Sequence, residues 1–381
     1  MATPPFQDIP KGSLAPTKLR TLHSSGSSEV YTTSLVDGGL HVVVKRTKIT
    51  CPGDMKRFDN ELAFLQACEH ETLLRPIGVI RSPPTYAIVL PVFERGSLFS
   101  LLHASGRMLT VGAKLSMCAD VAAALCHLHD RGVLHRDIKT DNVLVDADGR
   151  AVLADLNASE WESRVTEDIV MQARPTGGFF KQFVVGTLPY MAPELLRSVR
   201  GAMYTRACDV YSFGISLNEV LTQTVPYSDA MMEHVAMHTI LEARYNHAEL
   251  TSSIAADGLR PAQPPGTLSA PCEAGPFDPG LHSHPLDGMT IVQSAAGVAR
   301  RCWSDAAAER TPMPQVAREL AALLSSLPNA GSGGKDLFEA EEGTEMDVEQ
   351  VVVKEAGKEV GVKENRVANE ENGKVENGKV G

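Results

Sequence analysis

At 381 residues, 43 % of them hydrophobic, the chain can bury one large core or two smaller ones. Its formal net charge of −11 is uneven: from Gly331 onward 13 acidic residues face 7 basic ones, whereas the first 330 residues carry 34 against 29. That mild acidity, with no basic stripe, excludes nucleic acid as an expected partner.

Residues 1–18, rich in Pro, Ser and Thr, read as a flexible N-terminal segment. They contain no apolar run of the kind a signal peptide has, and Ala2 excludes N-myristoylation. From 19 to 93, short β-branched runs alternate with turn residues: "LHVVVKRT" (40–47), "IGVIRS" (77–82) and "YAIVLPVF" (86–93). One helix interrupts them over 54–68, with Met55, Phe58, Leu62 and Leu65 on one face and Asp54 as its N-cap.

From 97 to 326 the pattern turns helical. Leu115, Cys118, Ala122, Leu125 and Leu128 recur at helical spacing up to a stop at Gly132, and 209–223, 292–303 and 313–327 read as further helices. Residues 258–287 are dense in Pro and Gly and form a predicted surface insertion. The charged tail, 327–381, is polar and repetitive; it cannot bury enough apolar area to offset its ordering entropy and is expected to be disordered. Cutting at about residue 330 is expected to leave stability nearly untouched.

The seven cysteines are scattered, odd in number and never in a CxxC pair, which argues against a disulfide framework or a zinc site. No stretch approaches the roughly 20 apolar residues that cross a bilayer. No membrane span is expected, and the setting is read as cytoplasmic, with access to the nucleus left open.

Three segments carry the chemistry: "VLHRDIKTDNVLV" (133–145), "ADLNASE" (154–160) and "GTLPYMAPE" (186–194). In order and spacing the chain resembles the eukaryotic protein kinases over about 19–326. Lys139 and Gly186-Thr187 are similar to the serine/threonine type, while "CDVYSFGI" and "RRCW" lean toward the tyrosine-kinase-like group. The resemblance implies an α+β, bilobal fold: a small, mostly β N-lobe (about 19–93) with one regulatory helix, and a larger, mostly α C-lobe (about 97–326). It also implies ATP and Mg2+ as cofactors and a protein with a Ser or Thr acceptor as partner.

Phosphoryl transfer needs in-line positioning and charge neutralisation more than covalent help. By resemblance, Asp137 orients the substrate hydroxyl and accepts its proton, and Lys139 lies over the γ-phosphate. Asn142 and Asp155 supply the hard oxygens that magnesium prefers. Lys45 holds the α- and β-phosphates and pairs with Glu61. Leu90 matches the gatekeeper and Pro91-Val92-Phe93 the hinge; Pro91 would offer only its carbonyl to adenine, and Phe93 the N–H. Val30, Val43 and Leu144 would wall the adenine slot, and Ser97 sits at the ribose position. Glu194 should meet Arg310 in a buried ion pair, and Leu65, Ile77, His135 and Leu156 match the spine that joins the lobes.

Three departures stand out. His23, Ser25 and Ser28 occupy the glycine positions of the phosphate loop, so weaker ATP binding is expected. Asn157 replaces the glycine of the metal motif and is expected to keep some left-handed freedom. Phe183 fills the usual activation-loop phosphosite, which leaves Ser163, Thr166 and Thr176 as candidates. The reading is an active Mg-ATP-dependent serine/threonine kinase in intracellular signalling; the alternative is a pseudokinase scaffold with weak or no catalysis.

Overall fold

β-Branched residues crowd the first hundred positions, and there the chain forms a five-stranded antiparallel sheet. In the computed structural model, residues 6–24, 26, 28–165, 186–197, 203–228, 247–264, 288–327 and 337–338 are described. The strands are β1 (Arg20–Ser24), β2 (Ser28–Ser34), β3 (His41–Thr47), β4 (Gly78–Ser82) and β5 (Thr85–Pro91), in the order β1-β2-β3-β5-β4. Alternation along β3 sends Val42 and Val44 to the sheet's outer face, while Val43 and Lys45 face the inner side.

Helix α1 (Pro52–Ala67) covers the inner face with Phe58, Leu62 and Leu65. It starts two residues earlier than expected. Its N-cap is Cys51, and Asp54 sits one turn in, accepting from the Thr50 and Cys51 amides at 2.8 and 3.0 Å and from the Thr50 hydroxyl at 2.6 Å. Those bonds, the Thr50 hydroxyl foremost, hold the Asp54 carboxyl far below the usual range. Pro52 opens the helix at the one position where its missing N–H costs nothing.

The outer face has a cover that composition did not suggest. Asp8 bridges Val79 in parallel; the Ile9 amide donates to the Val79 carbonyl at 2.8 Å, and the Val79 amide donates to that of Gln7 at 2.9 Å. Ile9 is buried with Val42, Val44, Ile80, Ala87 and Val89. Residues 6–18 are therefore packed against the N-lobe rather than loose, because an apolar sheet face needs a second layer. Gly78 makes room: a Cβ there would lie 2.6 Å from Ile9. Ile77, expected in the spine beside Leu65, instead packs with this outer cluster. It precedes β4, and it is Val79 that joins Leu65, Ile88 and Leu156 inside.

The C-lobe is built on α3 (Val111–Asp130), capped by Thr110, whose hydroxyl accepts from the Ala113 amide. Among the described residues this helix is long and apolar enough to cross a membrane. Here it forms the centre of the core, with Leu115, Met117, Leu125 and Leu128 fully enclosed. Around it lie α2 (Leu98–His103), the hairpin β7 (Val143–Val145) and β8 (Ala151–Leu153), and the short pair β6 (Val133–Leu134) and β9 (Glu160–Trp161). The remaining helices are α4 (Pro193–Arg197), α5 (Arg206–Thr222), α6 (His247–Ala255), α7 (Gly288–Cys302) and α8 (Met313–Ser325). α5 is buried on every side from Cys208 to Leu221. Gly214 lets α7 approach it: a Cβ there would lie 2.7 Å from that of Cys302.

The tail is not wholly free of the domain either. Leu337 is buried, and Phe338 bridges Leu109. Of the predicted insertion, residues 258–264 are described and the remainder lies outside the described residues, as do Ser25, Thr166, Thr176, Phe183 and Cys272.

Candidate active site

Antiparallel register places the first group. Lys45 projects from β3 opposite Val30 of β2 and Ile88 of β5. Its Nζ donates to Glu61 Oε1 of α1 at 2.8 Å and to Asp155 Oδ1 at 2.9 Å. Burial works against the ammonium, but the two carboxylates outweigh it and its pKa is raised. Burial likewise opposes the charge on Asp155, yet Lys45 holds that carboxyl below its ordinary value. Glu61, more deeply enclosed, is pushed up by burial against the pull of Lys45.

The second group gathers on the segment between β6 and β7. Asp137 Oδ1 accepts from the Thr187 hydroxyl at 2.8 Å, and its Oδ2 accepts from Lys139 Nζ at 2.9 Å and Asn142 Nδ2 at 3.1 Å. Lys139 also donates to Thr187 Oγ1 at 2.8 Å, closing a three-residue ring of polar contacts. Sequence reasoning used Thr187 only as a mark of class. Its place on the carboxylate, 50 positions away, is visible only in three dimensions.

Buried Asp209 of α5 holds the backbone of this segment. It accepts from the amides of His135 and Arg136, both at 2.9 Å, and from His129 Nε2 at 3.0 Å. Burial opposes its charge, and His129 with those amides keeps its carboxyl below the usual range. The same grip stabilises Arg136 in a left-handed conformation, φ 68°. His135 Nε2 donates to the Ala154 carbonyl at 3.0 Å, and the Ala154 amide donates to the Asn142 carbonyl at 2.8 Å. These two bonds bring Asn142 and Asp155 to one place.

Asn142 turns its amide nitrogen to Asp137, which leaves its side-chain oxygen as a cation donor; Asp155 gives one carboxylate oxygen to Lys45 and keeps the other. One amide oxygen and one carboxylate suit a magnesium ion that retains waters and takes its remaining ligands from phosphates. The left-handed residue of this turn is Asp155, φ 62°, and not Asn157. Residues 156–158 form a right-handed 3-10 turn that asparagine enters without strain, so the expected need for special freedom at 157 does not arise.

The adenine wall residues line up by strand pairing. Val43 faces Leu90 across β3 and β5, Val42 faces Pro91, and Leu144 bridges Ser97. Val43, Phe93 and Leu144 are partly buried against the main core. Ser97 has a further duty: it caps α2, its hydroxyl accepting from the Ser100 amide at 3.2 Å. In the phosphate loop, His23 and Ser28 lie on strands, opposite Val30 and Thr47. Below the site, Arg310 reaches both oxygens of Glu194 at 2.7 Å and also donates to the carbonyls of Ser304, Asp305 and Ala207.

Comparison with known proteins gives the family. The protein kinase domain family matches residues 17–318. The chain is 33 % identical over 304 residues to a protein kinase and PP2C-like domain-containing protein of Arabidopsis thaliana, covering 79 % of this chain and 42 % of that one. It is 32 % identical over 219 residues to the wall-associated receptor kinase-like 3 of the same plant, covering 56 % and 28 %. To the human serine/threonine-protein kinase TNNI3K it is 33 % identical over 178 residues, 46 % and 20 %. The chain spans about two fifths of the length of the first of these relatives and less of the other two. It belongs to the protein kinase family, whose domain as a class works with ATP, a divalent metal and a protein substrate.

Proposed function

We propose that the chain is an active, Mg-ATP-dependent protein serine/threonine kinase working in intracellular signalling. The observation that carries this reading is the simultaneous assembly of two polar groups: Lys45 between Glu61 and Asp155, and Asp137 among Lys139, Thr187 and Asn142. On this reading Asp137, fixed by three donors, orients the acceptor hydroxyl and takes its proton. Lys45 and Lys139 meet phosphate charge from two sides, and Asn142 with Asp155 holds the metal, which when bound offsets charge on the phosphates. The Lys139–Thr187 bridge supports the Ser/Thr assignment. The cytoplasmic setting belongs to the same proposal.

A pseudokinase is favoured by the serine-rich phosphate loop, but that loop meets only the nucleotide, while both assembled groups serve transfer itself. The deciding experiment is single-turnover transfer of the γ-phosphate to a generic protein substrate, with Asp137→Asn as blank. Transfer above the blank supports the proposal. Nucleotide binding with no transfer above it returns the scaffold reading.

A further inference from the structure

The segment joining α2 to α3 passes through Arg107, Met108 and Leu109, and the successive amides of Leu109 and Thr110 find different partners. The first is satisfied internally: the Leu109 amide donates to Gln223 Oε1 at 2.8 Å, and Gln223 Nε2 returns a bond to the Arg107 carbonyl at 3.0 Å. The Thr110 amide donates to the carbonyl of Leu337 at 2.9 Å, and Phe338 pairs antiparallel with Leu109. The Leu337 side chain enters the core beside the β7–β8 turn. A Cβ on Gly149, φ +83°, would collide with a Leu337 methyl, so glycine there serves the turn and the incoming side chain together. Arg107 lies over the Phe338 ring, 4.0 Å from its centroid.

We propose that this C-lobe groove is a peptide-docking site whose resident ligand is the chain's own Leu337-Phe338 pair. The mode is addition of a short segment to a backbone edge, with one pocket for an aliphatic side chain and one cationic lid for an aromatic ring. Nine residues separate Leu327, next to the end of α8, from Leu337. A tether that short gives an effective concentration on the order of millimolar, so a weak intrinsic contact stays closed in cis. Another protein segment therefore reaches the groove only by displacing the resident pair. This inference is independent of whether the chain transfers phosphate.

The test uses the full-length chain. Leu337→Asp should speed hydrogen exchange at the Thr110 amide at least tenfold and lower the melting midpoint by about 3–6 °C. A synthetic peptide of residues 333–341, added to that variant, should restore Thr110 protection saturably, and the same peptide with Leu337→Asp should not. Arg107→Ala, on an exposed residue, should weaken peptide binding a few-fold while the protein stays folded. Thr110 exchange indifferent to Leu337→Asp, or a folded variant that does not take up the peptide, overturns the proposal. Protection of Thr110 that rises with protein concentration in the unaltered chain also overturns it, since the pair would then come from a second copy.

Discussion

Asp137 receives hydrogen bonds from Lys139, Thr187 and Asn142, so loss of one donor leaves the carboxylate charged but less firmly aimed. Bonds to a charged group contribute about 1.5–3 kcal/mol. Thr187→Ala should therefore lower kcat about ten- to a hundredfold and leave the KM for ATP near its starting value, as steady-state assays would show. Asp137→Asn should abolish transfer while calorimetry still detects nucleotide, whereas Asp155→Ala should lose transfer together with metal-dependent affinity. Transfer surviving Asp155→Ala would contradict the assignment. Arg310→Ala strands Glu194 in a largely buried place and should cost about 3–5 kcal/mol in chemical denaturation. The pair also sets an acid limit. Burial raises the Glu194 pKa, but Arg310 overcomes this and holds it below the unfolded value, so the unfolded chain takes up the proton first as pH falls. The stabilisation should be complete above about pH 4.5 and fade as pH drops through the lower, folded pKa. Arg310→Ala should flatten that part of the pH–stability curve.

At the scale of elements, the β1–β2 hairpin changes the meaning of its serines. Ser28 begins β2 in extended pairing with Thr47, where the left-handed freedom of glycine has no use. Ser28→Gly should cost about 0.5–1 kcal/mol and leave the KM for ATP unimproved, which thermal melts and ATP titrations can check together. A several-fold fall in KM would mean that the loop rearranges around nucleotide. Segments whose pattern is local were legible in the sequence: the β3 run of valines, the apolar face of α1 and the heptad-like stripe of α3. So were Lys45, Glu61, Asp137, Asn142 and Asp155, which stand at recognisable offsets. What escaped depends on the conformation and packing the chain adopts, which residue identity alone does not display. Asp54 reads as a cap until Thr50 and Cys51 are seen wrapped around it, Ile77 reads as a spine residue until Ile9 is found on the opposite face, and Asn157 looks conformationally special until the unusual angles turn out to belong to Asp155.

For the molecule as a whole, both ends of the chain contribute to stability beyond the family boundaries at residues 17 and 318. Removing residues 1–16 would take away Ile9, the two backbone bonds that Gln7 and Ile9 make to β4, and the Asp8–Arg81 pair. The outer face of the sheet, with Val42, Val44 and Ile80, would then meet water. Such a deletion should lower the melting midpoint by several degrees and promote self-association detectable by light scattering, whereas an unchanged melt would show that the arm is dispensable. The arm also has a consequence in time. Ile9 leaves the ribosome about seventy residues ahead of Val79. Until β4 emerges, the arm has nothing to close on and the growing sheet keeps an open apolar side. The outer seal of the N-lobe is thus a late, long-range event in synthesis, and the interval before it is when the nascent chain most needs a chaperone.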